Sequence, residues 1–259
     1  MDHREAGRYW EANAEAWTTL ARDGWDIYRD LVNTPAFFDL LPDVTGQRGL
    51  DIGCGEGYNT RLLAERGAQM WAVDISSRFV REARAAGDGS IQFAVASGQE
   101  LPFAHHQFDF ATSFMCLMDL PEPETALREC HRVLRTGGFL QYSISHPCFN
   151  PPWRKLLRTE DNQAYALEVG RYFDRIDGEI DTWLFGGSAA GMRQGMRRFQ
   201  IPRFHRTLAE WINLTLDAGF TLERVSEPRA SEETAERVPA VASTRVAAYF
   251  LHLRCRKAK

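Results

Sequence analysis

The stretch from Leu50 to Asp74 constrains the fold of this chain more than any other part of it. A short apolar run ends in three closely spaced glycines, Gly53, Gly55 and Gly57, and a segment with the apolar spacing of a helix follows them. A second apolar run then closes on the acidic residue. This order predicts a strand, a tight glycine turn, a helix and a second, parallel strand.

The predicted turn has the properties of a ligand site. Glycine permits left-handed backbone there and lets a ligand lie against the main chain, while the helix beginning near Tyr58 offers unpaired N–H groups. Asp74 falls at the C-terminal tip of the second strand, where open α/β sheets place a carboxylate that accepts hydrogen bonds from a ribose diol. The pattern therefore predicts a nucleoside-containing ligand.

Two details separate this turn from a dinucleotide-binding turn. The third glycine, Gly57, stands one place earlier than in the fingerprint G-x-G-x-x-G. Asp51 precedes the first glycine by two residues, where its charge would repel a bound phosphate. An NAD-dependent oxidoreductase is therefore the less favoured interpretation.

The same residues carry a family resemblance. The segment from Asp51 to Gly57, with Asp74 after it, resembles motif I and the following acidic strand end of the class I S-adenosylmethionine-dependent methyltransferases, in particular the small-molecule subgroup of methyltransferase type 11. Later segments resemble that family too, namely Ser97 to Phe103, Phe108-Asp109 and Arg132 to Gly138. The resemblance is strong over residues 45–145 and elsewhere rests on the order of elements.

The resemblance implies a cofactor and a set of positions that bind it. The cofactor would be S-adenosylmethionine, with S-adenosylhomocysteine as its product. The implied binding residues are Asp51, Gly53, Cys54, Gly55, Asp74, Ile75, Ser97, Gly98, Gln99, Glu100, Phe114 and Met115. Ser97 stands where many family members carry aspartate, and its hydroxyl can still hydrogen-bond adenine without supplying a charge.

The resemblance also implies an α/β fold, a Rossmann-like doubly wound sheet of seven strands, mostly parallel with the last strand antiparallel. After the first two strands, the apolar runs predict strands over Ile91–Ala96, Phe108–Phe114, Phe139–Ile144, Phe220–Val225 and Val246–Leu253. Capping residues and glycine stops predict helices that begin near Tyr58, at Ser76 or Ser77, at Glu124 and at Thr207.

Two further segments have expected roles beside this sheet. Residues 1–44 read as helical with aromatic faces and end at Pro35 and Pro42, so they form either a packed layer or a lid over the ligands. Residues 45–259 would form the methyltransferase domain, in which 145–206 is too long for a plain connection and is expected to be an insertion on the substrate side.

Composition limits the partners and the compartment. A net charge of −4 and a pI near 6.0 argue against broad binding of nucleic acid or membrane surfaces. The chain has no N-terminal apolar h-region and no run of about 18 apolar residues, so a cytoplasmic protein is expected. The five scattered cysteines are expected to be reduced thiols. No metal is expected, because the fourth and fifth strand ends lack a carboxylate cluster.

Two histidines are candidate general bases for an acceptor that must lose a proton. His146 follows the fifth strand and His205 begins the next helix, both near the sheet edge where such folds bind ligands. Either histidine also fits a purely structural role. Methyl transfer from a sulfonium otherwise needs positioning in a dry pocket and no enzyme nucleophile.

Two other motifs admit alternatives. An arginine run can clamp an acidic substrate or form a solvated face, and it consists of Arg193, Arg197, Arg198, Arg203 and Arg206. The segment Asn150 to Trp153 looks like a signature of nucleic-acid amino methyltransferases but follows the wrong strand, so it is interpreted as a turn.

The favoured function is methyl transfer to a small-molecule acceptor. The alternatives are a tRNA-base methyltransferase that uses the arginine run and a non-catalytic protein that binds S-adenosylmethionine. The acceptor atom and the oligomeric state do not follow from the sequence.

Overall fold

The structure is a computed structural model that describes residues 1–185 and 197–258. The strands of these residues are β1 Arg48–Ile52, β2 Gln69–Asp74, β3 Gln92–Val95, β4 Phe108–Phe114, β5 Leu134–Ser145, β6 Trp153–Arg158, β7 Ala164–Gly170, β8 Ile176–Trp183, β9 Phe199–His205, β10 Phe220–Ser226 and β11 Phe250–Lys257. Seven of them form one sheet in the order β10-β11-β5-β4-β1-β2-β3.

The direction of the strands confirms the expected fold class. Strands β5, β4, β1, β2 and β3 run parallel to one another, while β11 is antiparallel to both β5 and β10. The predicted start of the last strand, Val246, was wrong, since β11 begins at Phe250. The reason lies in pairing, because Phe250 stands opposite Ser145, the final residue of β5.

The helices are α1 His3–Arg22, α2 Thr34–Leu40, α3 Tyr58–Glu65, α4 Ser77–Ala85, α5 Pro123–Val133, α6 Leu208–Asp217 and α7 Glu232–Arg237. The Ser76 hydroxyl caps α4 by accepting the Phe79 N–H, and Thr207 and Glu210 form a capping box at the start of α6. Such caps satisfy N–H groups that have no partner inside the helix, which is why these starts were predictable. Among the described residues, no helix is long and apolar enough to cross a membrane.

Both faces of the sheet are covered. On one face α5 and α6 pack against the sheet around Tyr142 and Trp211. On the other, Leu63 of α3 and Val80 of α4 pack on a group that includes Phe110. Because neighbouring residues of a strand point to opposite faces, one sheet serves both cores and leaves its strand ends free for a site.

The N-terminal segment is helical up to Leu40, close to the predicted end at Pro42, but it is interrupted after Arg22. Helix α1 stops at Arg22, a π-helical turn covers Arg29–Asn33, and α2 follows at once. Pro35 lies in the first turn of α2 and was therefore wrongly placed as a terminator. Proline fits there because the N–H that it lacks has no helical partner in a first turn.

The segment 145–206 contains two hairpins, β6–β7 and β8–β9. Helix α1 lies on the second hairpin, where the Trp17 ring packs 4.9 Å from the Phe199 ring. The buried Asn13 side chain donates to Gln200 O at 2.8 Å and accepts the Gln200 N–H at 3.3 Å. The N-terminal segment and the insertion therefore pack together as one wall.

Candidate functional site

A cavity of about 750 Å³ opens where the parallel strands end. Its floor consists of residues that follow β1, β2, β3, β4 and β5, and its other walls come from α1, from the turn after it and from the two hairpins. Open α/β sheets bind ligands at this edge, because the carboxyl ends of the strands and the helix N-termini converge there. The cavity therefore lies where the sequence predicted the ligand.

The glycine turn forms one end of this floor. The N–H groups of Gly53 and Cys54 both donate to Val73 O, at 2.8 and 3.0 Å, and tie the turn to β2. Gly53 has a φ of +72°, and a methyl group there would lie 2.1 Å from Cys116 Sγ. Gly55 also has positive φ, but no atom lies within 4 Å of the methyl position. The first glycine is needed for packing, whereas the second borders open space that a ligand can use.

Asp51 supports the turn from below. It is buried and accepts the Thr60 hydroxyl at 2.5 Å and the Thr112 hydroxyl at 2.9 Å. Burial raises the pKa of this carboxyl to about 6, although the hydrogen bonds from the two hydroxyls act to lower it. Asp51 also borders the cavity. Its two oxygens thus join the start of α3 to β4, which holds the turn in shape.

Asp74, the predicted ribose-binding acid, faces the cavity. One carboxylate oxygen accepts the Gly55 N–H and the other accepts the Ser76 N–H, both at 2.9 Å. Burial raises the pKa of Asp74 to about 6. Each oxygen keeps further acceptor capacity, so a ligand with two adjacent hydroxyls fits this carboxylate.

The buried acid Glu56, beside the glycine turn, lies close to three arginines. Glu56 lies 2.8 Å from Arg61, 3.6 Å from Arg22 and 3.8 Å from Arg29. The Arg29 guanidinium also stacks 4.2 Å from the centre of the Tyr58 ring, and it borders the cavity. Arg29 was not predicted as a site residue, and its one signal in the sequence is its place in the N-terminal segment expected to cover the ligands.

The exit of β3 is only partly turned toward the cavity. Ser97 and Gly98 line it, as does Ile75 after β2. The Gln99 side chain instead donates to Glu122 at 3.4 Å, and Glu100 is exposed. The contribution of Gln99 and Glu100 to cofactor binding stays a prediction, with backbone contact as the route open to them.

The end of β4 supplies the middle of the floor through Phe114, Met115 and Asp119. Met115 has a left-handed φ of 52°, which few non-glycine residues adopt, and its N–H donates to Ser143 O at 3.0 Å. The Asp119 carboxylate has no hydrogen bond or ion pair to the residues that the structure describes. Burial raises its pKa well above the ordinary value.

The two candidate bases differ in access. His146 is 1% exposed, its Nε2 lies 2.7 Å from Glu227 Oε1, and its Nδ1 accepts the Cys148 N–H at 3.2 Å. Both of its nitrogens are thus engaged inside the protein. His205 borders the cavity, and its Nε2 donates to Tyr172 O at 2.8 Å. Burial lowers the pKa of His205.

The arginines of the predicted run also differ in whether they border the cavity. Arg193 lies outside the described residues, and Arg197 and Arg198 are exposed. Arg203 and Arg206 are half-buried and border the cavity, which makes a solvated face the wrong interpretation for these two.

Asn150 to Trp153 leads into β6, as the turn interpretation expected. Its backbone has a use, because Asn150 O and Pro151 O accept hydrogen bonds from Arg203 at 3.2 and 2.7 Å. In the described part of the chain, no group of three or more His, Cys, Asp or Glu residues is arranged to hold a metal ion.

Known proteins resemble this chain over the same elements. A family model described as a methyltransferase domain matches residues 50–141. The ubiquinone biosynthesis O-methyltransferase of Xanthomonas oryzae pv. oryzae is 31% identical over 182 residues, which cover 66% of this chain and 72% of that protein. The demethylmenaquinone methyltransferase of Renibacterium salmoninarum is 34% identical over 114 residues, 44% of this chain and 48% of that protein.

A solved structure agrees. The S-adenosylmethionine dependent methyltransferase from Mesorhizobium loti is 26% identical and superposes with a TM-score of 0.70 over 86% of this chain and 96% of that one. This chain therefore belongs to the class I S-adenosylmethionine-dependent methyltransferases. It is an enzyme with S-adenosylmethionine as its cofactor, which confirms the predicted family and methyl donor.

If Asp74 holds the ribose, as the sequence predicts, its raised pKa makes cofactor binding depend on pH. The carboxyl must be ionised to accept two hydroxyl bonds, and with a pKa of about 6 it takes up a proton as the pH falls from 7 to 5. The affinity for S-adenosylhomocysteine is expected to fall about tenfold over this range. Titration calorimetry at several pH values measures it.

Asp74→Asn is the control for this prediction, since Asp51 titrates in the same range and stays in the variant. The variant should bind weakly with a much flatter pH dependence. An equally steep pH dependence in the variant would assign the effect to another group.

Proposed function

We propose that this enzyme transfers the methyl group to a small-molecule acceptor that binds between the end of β4 and the hairpin wall. One observation supports this most directly, namely that a single cavity of about 750 Å³ joins the glycine turn and Asp74 to Arg203 and His205. Ligand clefts of about 300–1,000 Å³ take drug-sized molecules, so there is room for a nucleoside and a small acceptor together. The ubiquinone and demethylmenaquinone enzymes named above support an acceptor of this size.

The residues on the cofactor side fit S-adenosylmethionine. Asp74 would hold the ribose, the open space at Gly55 would admit the ligand to the backbone, and Ser97 would face the adenine. Arg29, already paired with Glu56, would border the charged end of the ligand. When bound, the cofactor supplies a methyl group on a good leaving group.

The walls of the cavity would position the acceptor. The N-terminal segment would act as the expected lid, because Trp10 and Trp17 of α1 border the cavity and pack on the second hairpin. An aromatic wall excludes water and holds the acceptor within reach of the methyl group, which accounts for much of the rate in such a displacement. The cytoplasmic location expected from the sequence belongs to the same proposal.

His205 is the better placed of the two candidate bases. Donation from Nε2 to the Tyr172 carbonyl leaves the Nδ1 lone pair free in the neutral ring, and no described residue donates to Nδ1. The lowered pKa keeps the ring neutral at pH 7, ready to accept a proton. His146 would instead position the loop after β5, which carries Phe149 at 4.7 Å from its ring.

His205→Gln is expected to lower kcat about a hundredfold, because a positioned general base contributes roughly that much or more. The affinity for S-adenosylhomocysteine should change less than twofold, roughly the scatter between unrelated surface variants. Release of S-adenosylhomocysteine and calorimetry measure the two quantities. His105→Gln, in an exposed loop, is the control and should behave as wild type. An unchanged kcat in His205→Gln would remove the residue as base.

The proposed function itself is tested by incubating the enzyme with S-adenosylmethionine and a panel of phenols, catechols and amines, with bulk tRNA as a further acceptor. Mass spectrometry would detect the methylated product. We expect methylation of at least one small molecule and none of tRNA. Salt-sensitive methylation of tRNA would favour the base-modifying alternative, and cofactor binding without transfer to any acceptor would indicate a binding protein.

A further inference from the structure

Two arginines of the hairpin wall converge on the acceptor half of the cavity. Arg154 lies on β6 and Arg203 on β9, and both border the cavity. Arg203 donates to Pro151 O at 2.7 Å, three residues before Arg154, so the two side chains lie in the same part of the wall. Burial lowers the pKa of Arg203, the charge of Asp181 raises it and the charge of Arg154 lowers it. Arg154 is exposed and Arg203 is half-buried, so both positive charges are accessible to an anion that enters the cavity.

The protein itself supplies no such anion at close range. Neither arginine has a carboxylate within 4.0 Å among the described residues. Asp181 and Glu179 are the acids that act on Arg203, and they do so only from beyond that distance. The hydrogen bonds of Arg203 go from one terminal nitrogen to the carbonyls of Asn150 and Pro151, which fixes the group. Its other N–H donors have no partner among the described residues.

The cofactor half of the cavity shows the opposite arrangement. There Arg29 is matched by Asp30 at 2.7 Å and by Glu56 at 3.8 Å. An arginine of the cofactor half therefore has close carboxylate partners, whereas Arg154 and Arg203 have none within 4.0 Å among the described residues.

Arg154 and Arg203 lie at a distance from the glycine turn along the edge of the sheet. Arg154 lies over the Tyr249 ring, 5.3 Å from its centre, and Tyr249 directly precedes β11. Strand β11 is three places from β1 in the sheet, a distance of about 14 Å at ordinary strand spacing. An anion held by Arg154 and Arg203 would therefore belong to the acceptor and not to the cofactor.

The walls around these arginines are largely aromatic. Phe149, Trp183 and Tyr249 border the same cavity. Burial raises the pKa of Tyr249, so its phenol stays protonated and can donate to an anion. Flat rings suit a planar acceptor, and two guanidinium groups suit a carboxylate, which they can bind through paired N–H donors.

We propose that Arg154 and Arg203 form a carboxylate subsite and that the methyl acceptor is an aromatic acid. This inference rests on the proposed function, because it names the substrate class of the same cavity. Arg203, fixed by two carbonyls, is the anchor, and Arg154 completes the pair across the hairpins.

The test compares two probes that differ only in charge, 3,4-dihydroxybenzoate and 3,4-dihydroxybenzamide, on enzyme saturated with S-adenosylhomocysteine. Calorimetry should show the acid binding at least about tenfold more tightly than the amide. Arg203→Gln and, separately, Arg154→Gln should each weaken binding of the acid about tenfold and change binding of the amide less than about twofold. Arg203→Lys should fall between, since it keeps the charge and loses the planar donor pair.

The control is Arg158→Gln, an exposed position on the same strand as Arg154 that lies outside the cavity lining, and it should bind both probes as wild type does. Equal binding of acid and amide, no binding of either, or equal weakening of both in the Arg203 variants would overturn the carboxylate subsite. Binding of S-adenosylhomocysteine is recorded first in each variant. If the wild-type enzyme does not bind S-adenosylhomocysteine, the proposed function is overturned as well. If it binds S-adenosylhomocysteine but shows no preference for the acid over the amide, only this inference is overturned.

Discussion

Replacing Asp74 by alanine is expected to weaken binding of S-adenosylmethionine about a thousandfold. A ribose would donate two hydrogen bonds to the ionised carboxylate, and hydrogen bonds to charged groups contribute about 1.5–3 kcal/mol each. The fold should persist, because two effects of the substitution oppose each other. The N–H groups of Gly55 and Ser76 lose their acceptor, but a buried carboxyl whose pKa is raised to about 6 is removed as well.

Titration calorimetry measures the affinity, and thermal unfolding checks that the variant is folded. Asp39→Ala removes an exposed carboxyl from α2 and serves as the matched control, with wild-type affinity expected. A folded Asp74→Ala protein that binds the cofactor with unchanged affinity would refute the ribose assignment.

Gly53→Ala is expected to lower the free energy of unfolding by about 3 kcal/mol and to abolish cofactor binding. About 1–2 kcal/mol comes from left-handed backbone at a residue with a Cβ, and a similar amount from overpacking. The overpacking arises because the new methyl group would lie 2.1 Å from Cys116 Sγ, and Cys116 borders the cavity. Chemical denaturation and calorimetry measure the two effects.

Two other glycines isolate the causes. Gly46 has a φ of +73° with no atom within 4 Å, so Gly46→Ala should cost only the backbone contribution and leave binding unchanged. Gly55→Ala, equally free of contacts, should cost as little stability as Gly46→Ala but weaken binding. Equal stability losses in all three variants would contradict the role assigned to Cys116.

The floor of the site was predictable because its signals are local. A strand, a glycine turn, a helix and a strand that closes on Asp74 follow one another within a short stretch, and parallel strands must end at one edge. The positions of Gly53, Gly55 and Asp74 follow from that geometry alone.

The walls were not predictable, because they depend on contacts between distant segments. The second hairpin of the insertion is held by α1 through Asn13 and Trp17, about which the local sequence of the hairpin says nothing. His146 shows the same limit. Its place after β5 was correctly expected, but the direction of its ring depends on Glu227, a residue 81 positions away.

Tyr249 was missed for a related reason. The apolar run that contains it predicted a strand from Val246, whereas pairing with β5 begins only at Phe250. Residues 246–249 therefore lie outside the sheet, and Tyr249 borders the cavity. An apolar run marks a strand but does not say where its partner ends.

One measurement tests the central claim most directly, namely calorimetric titration of the purified protein with S-adenosylmethionine, S-adenosylhomocysteine and NAD. The site described above predicts saturable binding of both sulfur nucleosides at one site per chain and no binding of NAD, since Asp51 and the position of Gly57 disfavour a pyrophosphate. Preference for NAD, or no binding of either sulfur nucleoside, would contradict it.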